Sequence, residues 1–241
     1  METLNDDNLR QFIKTFYGYG NLASRFWFIG MEEGGGNSLK EIRARLIAWE
    51  QLGKPELADL RDFHLLLGMP EFFTPQVKLQ RTWMQMARIV LVAKGQPHGL
   101  EELRTYQKDY LGHKNEESCL MELLPLPSPR TSSWAYAHWS TLPFLAKRET
   151  YYQQFYHQRS AHIRERIQKN RPKVGIFYGI GYRTFWQAIA GKEVEFQNQD
   201  GFLSGITSHT VYLIIKHPNA GKLSNTYFEK VGAYLREHLQ T

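Results

Sequence analysis

Short apolar runs punctuate the chain at Phe26-Trp27-Phe28-Ile29, Cys119 to Leu124, Val174 to Tyr178 and Val211-Tyr212-Leu213-Ile214-Ile215. Near-continuous apolar runs of this length read as strands buried on both faces, the pattern of a parallel sheet covered by helices. Between them apolar positions recur at helical spacing. Leu9, Phe12, Ile13 and Phe16 mark a packing helix within Leu4 to Tyr17, with Asn5, Asp6 or Asp7 as its cap. Trp83, Met86, Ala87, Val90 and Leu91 share one face of Gln76 to Ala93, and a weaker helix spans Leu100 to Leu111. From Glu149 to Asn170, Tyr152, Tyr156, Ile163 and Ile167 form a core stripe. Arg148, Arg159, Arg164, Arg166 and Lys169 are expected on its solvated side. Helices over Tyr182 to Ala190 and from a Ser224 cap to Leu239 complete the set. Strands alternating with helices through right-handed crossovers predict a three-layer α/β/α sandwich around a short, mainly parallel four-stranded sheet.

The chain has 241 residues and 42% hydrophobic content, enough for one substantial core and one domain spanning 1–241. No apolar run is long enough to cross a bilayer and no basic-then-apolar opening is present, so a cytoplasmic protein is expected. Cys119 is the only cysteine, which excludes an internal disulfide framework, a multi-cysteine zinc site and an iron–sulfur cluster held by four thiolates. A formal charge of +6 suits a polyanionic partner, and 14% aromatic content suits stacking on unpaired bases as well as filling a core.

The candidate chemistry follows two of the strands. Parallel strands present their C-terminal ends to a common crevice, so Glu32 and Glu33 after one strand and His217 after another can meet on one substrate. Gly34, Gly35 and Gly36 allow close approach of the backbone to a ligand, but the chain lacks the Gly-Lys-Ser/Thr and Gly-x-Gly-x-x-Gly signatures of phosphate-binding loops. Two plainer alternatives stand beside this. Glu32 and Glu33 would suit the first turn of a helix near Asn37 or Ser38, and His217 would suit a structural position before a turn proline.

The segments Gly30-Met31-Glu32-Glu33-Gly34, Lys173 to Gly191 and His217-Pro218-Asn219 resemble the uracil-DNA glycosylase superfamily. Its first motif has the form Gly-Met-Asn-Pro-Gly or Gly-Glu-Ala-Pro-Gly, and its last is His-Pro-Ser. Glu33 stands where that motif has proline, and Asn219 where it has serine. The resemblance implies a monofunctional DNA glycosylase that flips a damaged or modified pyrimidine into a pocket and needs neither metal nor organic cofactor. DNA is then the partner and the monomer the working form, in repair or in defence against modified foreign DNA. By the resemblance, Glu32 orients or activates water, with Glu33 beside it, and His217 hydrogen-bonds the departing base. The base would sit against Gly30, Met31, Gly34 and Glu122, stacked on Phe63 or Phe72. The DNA strand would meet Gly35, Pro127, Ser128, Arg130, Gly179, Asn219 and Lys222, and Leu223 would enter the stack. Gly34 replaces a tyrosine that several branches use to block the 5-substituent of the base. Glu122 lies near the family's uracil-reading asparagine, and a carboxyl accepts well from the exocyclic amine of cytosine. Together they favour a 5-substituted cytosine over uracil. The charged helical stretch within residues 37–78 has no counterpart and is expected as an insertion. A catalytically silent DNA- or nucleotide-binding module, or a hydrolase of free nucleosides, would use the same fold.

Overall fold

The computed structural model describes residues 2–130, 132–221 and 223–239. Its elements, in chain order, begin with α1 (Asp6–Thr15), β1 (Gly18–Tyr19), β2 (Phe26–Gly30), α2 (Leu39–Gln51), β3 (Leu57–Ala58) and α3 (Leu60–Leu66). Then follow α4 (Arg81–Ala93), α5 (Leu100–Asp109), β4 (Ser118–Glu122), α6 (Tyr136–Trp139) and α7 (Arg148–Asn170). The chain closes with β5 (Val174–Tyr178), α8 (Arg183–Ala190), β6 (Gln197–Gln199), β7 (Phe202–Ile206), β8 (Val211–Ile215) and α9 (Asn225–Leu239).

These strands form one mixed eight-stranded sheet in the order β3-β1-β4-β2-β5-β8-β7-β6. The apolar runs occupy its centre, where β4, β2, β5 and β8 pair in parallel. Every residue of β2, β5 and β8 is buried, so both faces of the central strands are covered. The sheet is wider than the four strands expected. Three of the added strands are short or polar: β1 and β3 have two residues each, and β6 reads Gln-Asn-Gln, whereas β7 is a five-residue strand antiparallel to β8. The β6–β7 hairpin turns at Asp200 and Gly201, both at positive φ (28° and 108°), which is the twist a tight two-residue connection needs.

The chain leaves β2 toward β4 on one side, then returns past β2 to β5 and continues outward to β8. Neighbouring β2 and β5 therefore send their connections in opposite directions, and such a reversal opens a crevice at the carboxyl ends of the strands.

Arg159 departs from the expectation of a solvated charge. It is 1% exposed and lies on the stripe of Tyr151, Phe155, Ile163 and Ile167, a spacing of four residues that continues through it. Its guanidinium donates to the carbonyls of Ile13 (2.7 Å), Phe16 (2.8 Å), Leu123 (2.6 Å) and Glu122 (3.1 Å), and the Tyr17 ring lies 3.7 Å away. Backbone dipoles and an aromatic face thus replace the water that a buried cation loses. The segment 37–78 contributes β3 to the sheet edge and places α3 beside the crevice, so it extends the architecture instead of hanging from it.

Candidate active site

At the carboxyl ends of the central strands lies a cavity of about 360 Å³, open to solvent on one side. Glu32, Glu33, Gly34 and Gly35 from the loop after β2, Glu122 from the end of β4, Tyr178 from the end of β5 and His217 with Asn219 after β8 all line it. His64 from α3, Phe72 from the segment that follows it and Trp83 from α4 form another wall.

The loop after β2 is held open by its own chemistry. Leu123 and Leu124 donate their amides to the carbonyls of Gly30 and Met31 (2.8 Å each), carrying the ladder with β4 past the strand ends. Both glutamates then emerge before the helix, because Ser38 caps α2 by accepting from the Glu41 amide. They are not its first turn. Glu41 in turn accepts from the amides of Gly36 (2.8 Å) and Asn37 (3.0 Å), the donors an incoming phosphate would require. Gly35 and Gly36 have φ of 118° and 72°, and a Cβ there would stand 2.5 Å from the Glu41 carboxylate and 2.3 Å from the Pro127 carbonyl. Gly34 differs, since a side chain at that position would meet nothing within 4 Å.

Each carboxylate of the site has a distinct partner. Arg148, at the start of α7, donates to Oε1 of Glu32 and to the Ser128 hydroxyl (3.1 Å). Burial raises the Glu32 pKa in spite of that guanidinium, and its Oε2 is buried without a partner. Glu33 accepts from Arg45 at 2.6 Å, and Arg45 also lies 3.6 Å from Glu41. Glu122 accepts from the Tyr178 hydroxyl through Oε1, while its Oε2 is likewise buried and unpartnered. Burial pushes the Glu122 carboxyl well above the usual range, and the neighbouring charges of Glu33 and Glu32 push the same way.

His217 stands at the mouth. Its Nδ1 accepts from the Asn219 amide at 3.0 Å, which leaves the proton of the neutral ring on Nε2. Surrounding protein lowers its pKa, so the ring is a neutral donor through the physiological range. Its edge meets the face of Tyr178 with centroids 5.3 Å apart. On the other wall His64 is also neutral, with a pKa lowered by burial to about 4 and a ring nitrogen 2.8 Å from the Leu60 carbonyl. Trp83 stacks edgewise on both His64 (4.9 Å) and Phe72 (5.3 Å). No cluster of His, Cys, Asp and Glu able to hold a metal ion is found among the described residues.

Glu32, Glu33, Gly34, Gly35, Glu122, Phe72, His217 and Asn219 are therefore gathered in one place. Other expected site residues are elsewhere. Phe63 is wholly buried in the core, its ring stacked on Phe16 at 5.6 Å, and its neighbour His64 faces the cavity instead. Gly30 lies behind the cavity under the Tyr178 ring, and Met31 is buried. Pro127 and Ser128 are buried in their loop, where the Ser128 hydroxyl donates to the carbonyls of Arg130 and Ser133. Arg130 is exposed but does not line the cavity. Gly179 is buried at φ 97°, with its carbonyl taken by Trp186. Leu223 is half-buried and packs against the core just before α9, and Lys222 lies outside the described residues. Arg45, His64, Trp83, Arg148 and Tyr178 were not singled out from sequence. Arg148 carried a signal, since it begins a helix at the end where the dipole disfavours a cation.

No protein-family model and no curated protein matches the chain.

Proposed function

We propose that this protein is a monofunctional DNA glycosylase that hydrolyses the N-glycosidic bond of a flipped-out modified pyrimidine, a 5-substituted cytosine ahead of uracil. One observation carries the proposal. Two carboxyl groups with unpartnered buried oxygens and a neutral histidine with its proton on Nε2 converge from different strands on one cavity. Breaking a glycosidic bond develops positive charge on the sugar and negative charge on the departing base, and this set has an acceptor for one and donors for the other.

In the proposed reaction Arg148 holds Oε1 of Glu32, so Oε2 is the oxygen that orients water toward the anomeric carbon and takes its proton. The C–N bond breaks, the electron pair leaves with the base, and His217 Nε2–H hydrogen-bonds the base carbonyl on which that charge accumulates. Glu122 reads the pairing edge of the base. The open space at Gly34 leaves room for a substituent at ring position 5. The parallel order β4-β2-β5-β8 supports the same assignment, since the resemblance calls for a four-stranded parallel unit of this kind. A basic chain supplies the phosphate contacts that bring DNA to the monomer.

The test is abasic-site formation. Duplex and single-stranded DNA bearing different modified pyrimidines is incubated with the protein and cleaved with alkali; strand breaks that disappear in Glu32→Gln are expected. DNA binding without breaks on any substrate overturns the proposal in favour of a silent binding module.

A further inference from the structure

Tyr178 plays no part in the steps above, yet the molecule is built around it. A Cβ at residue 30 would stand 2.2 Å from the Tyr178 ring, so only glycine at the end of β2 admits that ring beside the cavity. The hydroxyl donates to Oε1 of Glu122 and bonds no other group among the described residues. Oε2 of the same carboxyl is buried without a partner on a residue that lines the cavity.

Burial favours the neutral form of this carboxyl above all; the Tyr178 hydrogen bond opposes that, the charges of Glu33 and Glu32 add to it, and Arg159 opposes it more weakly. A neutral carboxyl has one hydroxyl oxygen and one carbonyl oxygen, and which is which is ordinarily open. Here Oε1 already receives the phenolic proton, so it is the carbonyl. We propose that Tyr178 is a specificity-determining positioning residue, which fixes the proton of Glu122 on Oε2 and so presents a single donor–acceptor order to the pairing edge of the base. This rests on the glycosylase reading of the site.

The chemistry of the two pyrimidine edges makes the consequence readable. Cytosine offers an acceptor at N3 beside a donor at N4, whereas uracil offers a donor at N3 beside an acceptor at O4. A carboxylic acid free to move its proton from one oxygen to the other satisfies both edges in one pose. With the proton fixed it satisfies one and repels the other. Replacing Tyr178 by phenylalanine keeps the ring and frees the proton.

The experiment compares single-turnover excision of a 5-substituted cytosine and of uracil by the wild type and Tyr178→Phe. Whichever base the wild type prefers, its preference should fall about tenfold toward parity, the weight of one hydrogen bond, with DNA affinity unchanged. A second readout needs no activity. The infrared difference between wild type and Glu122→Gln at neutral pH should contain the carbonyl stretch of a protonated carboxylic acid, and that band should shift in Tyr178→Phe. An undiminished preference in Tyr178→Phe, or no acid band in the wild type, overturns the inference. A wild type that excises neither base overturns the glycosylase reading instead, and the infrared pair then decides the state of Glu122 alone. Should Tyr178→Phe fail to fold, the wild-type band still separates a protonated from an ionised Glu122.

Discussion

Two neighbouring glutamates after β2 show how environment separates like residues. Glu33 is spent on Arg45, whereas Glu32 keeps one buried oxygen free beside Arg148. Glu32→Gln and His217→Ala are each expected to slow single-turnover excision by roughly 10²-fold or more while DNA affinity holds, because both groups act on charge that develops only in the transition state. The pH profile distinguishes their roles. In the proposed reaction Glu32 acts as the carboxylate and its pKa is raised, so excision should climb with pH through a range above that of an ordinary carboxylate. That limb should vanish in Glu32→Gln. Wild-type rates in both variants would place the chemistry on other residues.

At the scale of elements, α3 and α9 show two ways in which a helix is fixed in place. Asp59 caps α3 through the amides of Arg61 (2.9 Å) and Asp62 (3.2 Å) and lies 3.3 Å from His113. That partnership holds the Asp59 pKa at about 2, below its ordinary 3.8, and raises His113 above its ordinary 6.5. The aspartate's contribution is present above 3.8 and is lost as pH falls through about 2. The histidine's contribution is present below 6.5 and is lost as pH rises through its raised value. Asn at 59 keeps the capping oxygen but gives up both the His113 pair and the Lys114 amide bond at Oδ2 (3.0 Å), so Asp59→Asn should cost roughly 1–2 kcal/mol between those limits, less on either side. Thermal melts from acid to mild alkali measure it. Where α9 crosses α4, a Cβ on Gly232 would meet Val92 at 2.7 Å and the Ile89 carbonyl at 2.8 Å. Alanine gains about 1 kcal/mol of helix propensity, but overpacking against backbone costs about 1–3 kcal/mol, so Gly232→Ala should lower the melting temperature. The long elements were legible because burial on both faces or along one stripe writes a period into the sequence. The short strands β1 and β3 write none, since two residues cannot show alternation, and polar β6 carries no apolar run at all. The same limit governs the site: Glu32, Glu122 and His217 follow apolar runs and could be read, whereas His64 and Arg45 reach the cavity from helices whose placement only tertiary packing decides.

For the molecule as a whole, Arg159 is the residue through which distant parts meet. It joins the end of α1 to the end of β4 from a position in the middle of α7. Arg159→Met retains an unbranched apolar chain but leaves buried carbonyls without donors. It should therefore cost at least about 3 kcal/mol, read as a fall in the midpoint of urea unfolding. A near-wild-type midpoint would mean that water reaches those carbonyls.

That same guanidinium has a consequence in time. Its bond to Ile13 spans 146 residues of chain, comparable to the separation of Phe26 and Val174 paired across β2 and β5, so loop closure weighs on both alike and they should form and open together. Glu122 is carried on the carbonyl row that Arg159 secures, so this wall of the cavity is tied to α7 as well as to the sheet. Native-state hydrogen exchange should reflect this. The amides of Glu122 and Leu123 should open together with α7 and with the β2 and β5 amides at one free energy, Leu123 being bonded to the Gly30 carbonyl, and exchange of the wall ahead of the sheet would show that Arg159 does not tie them.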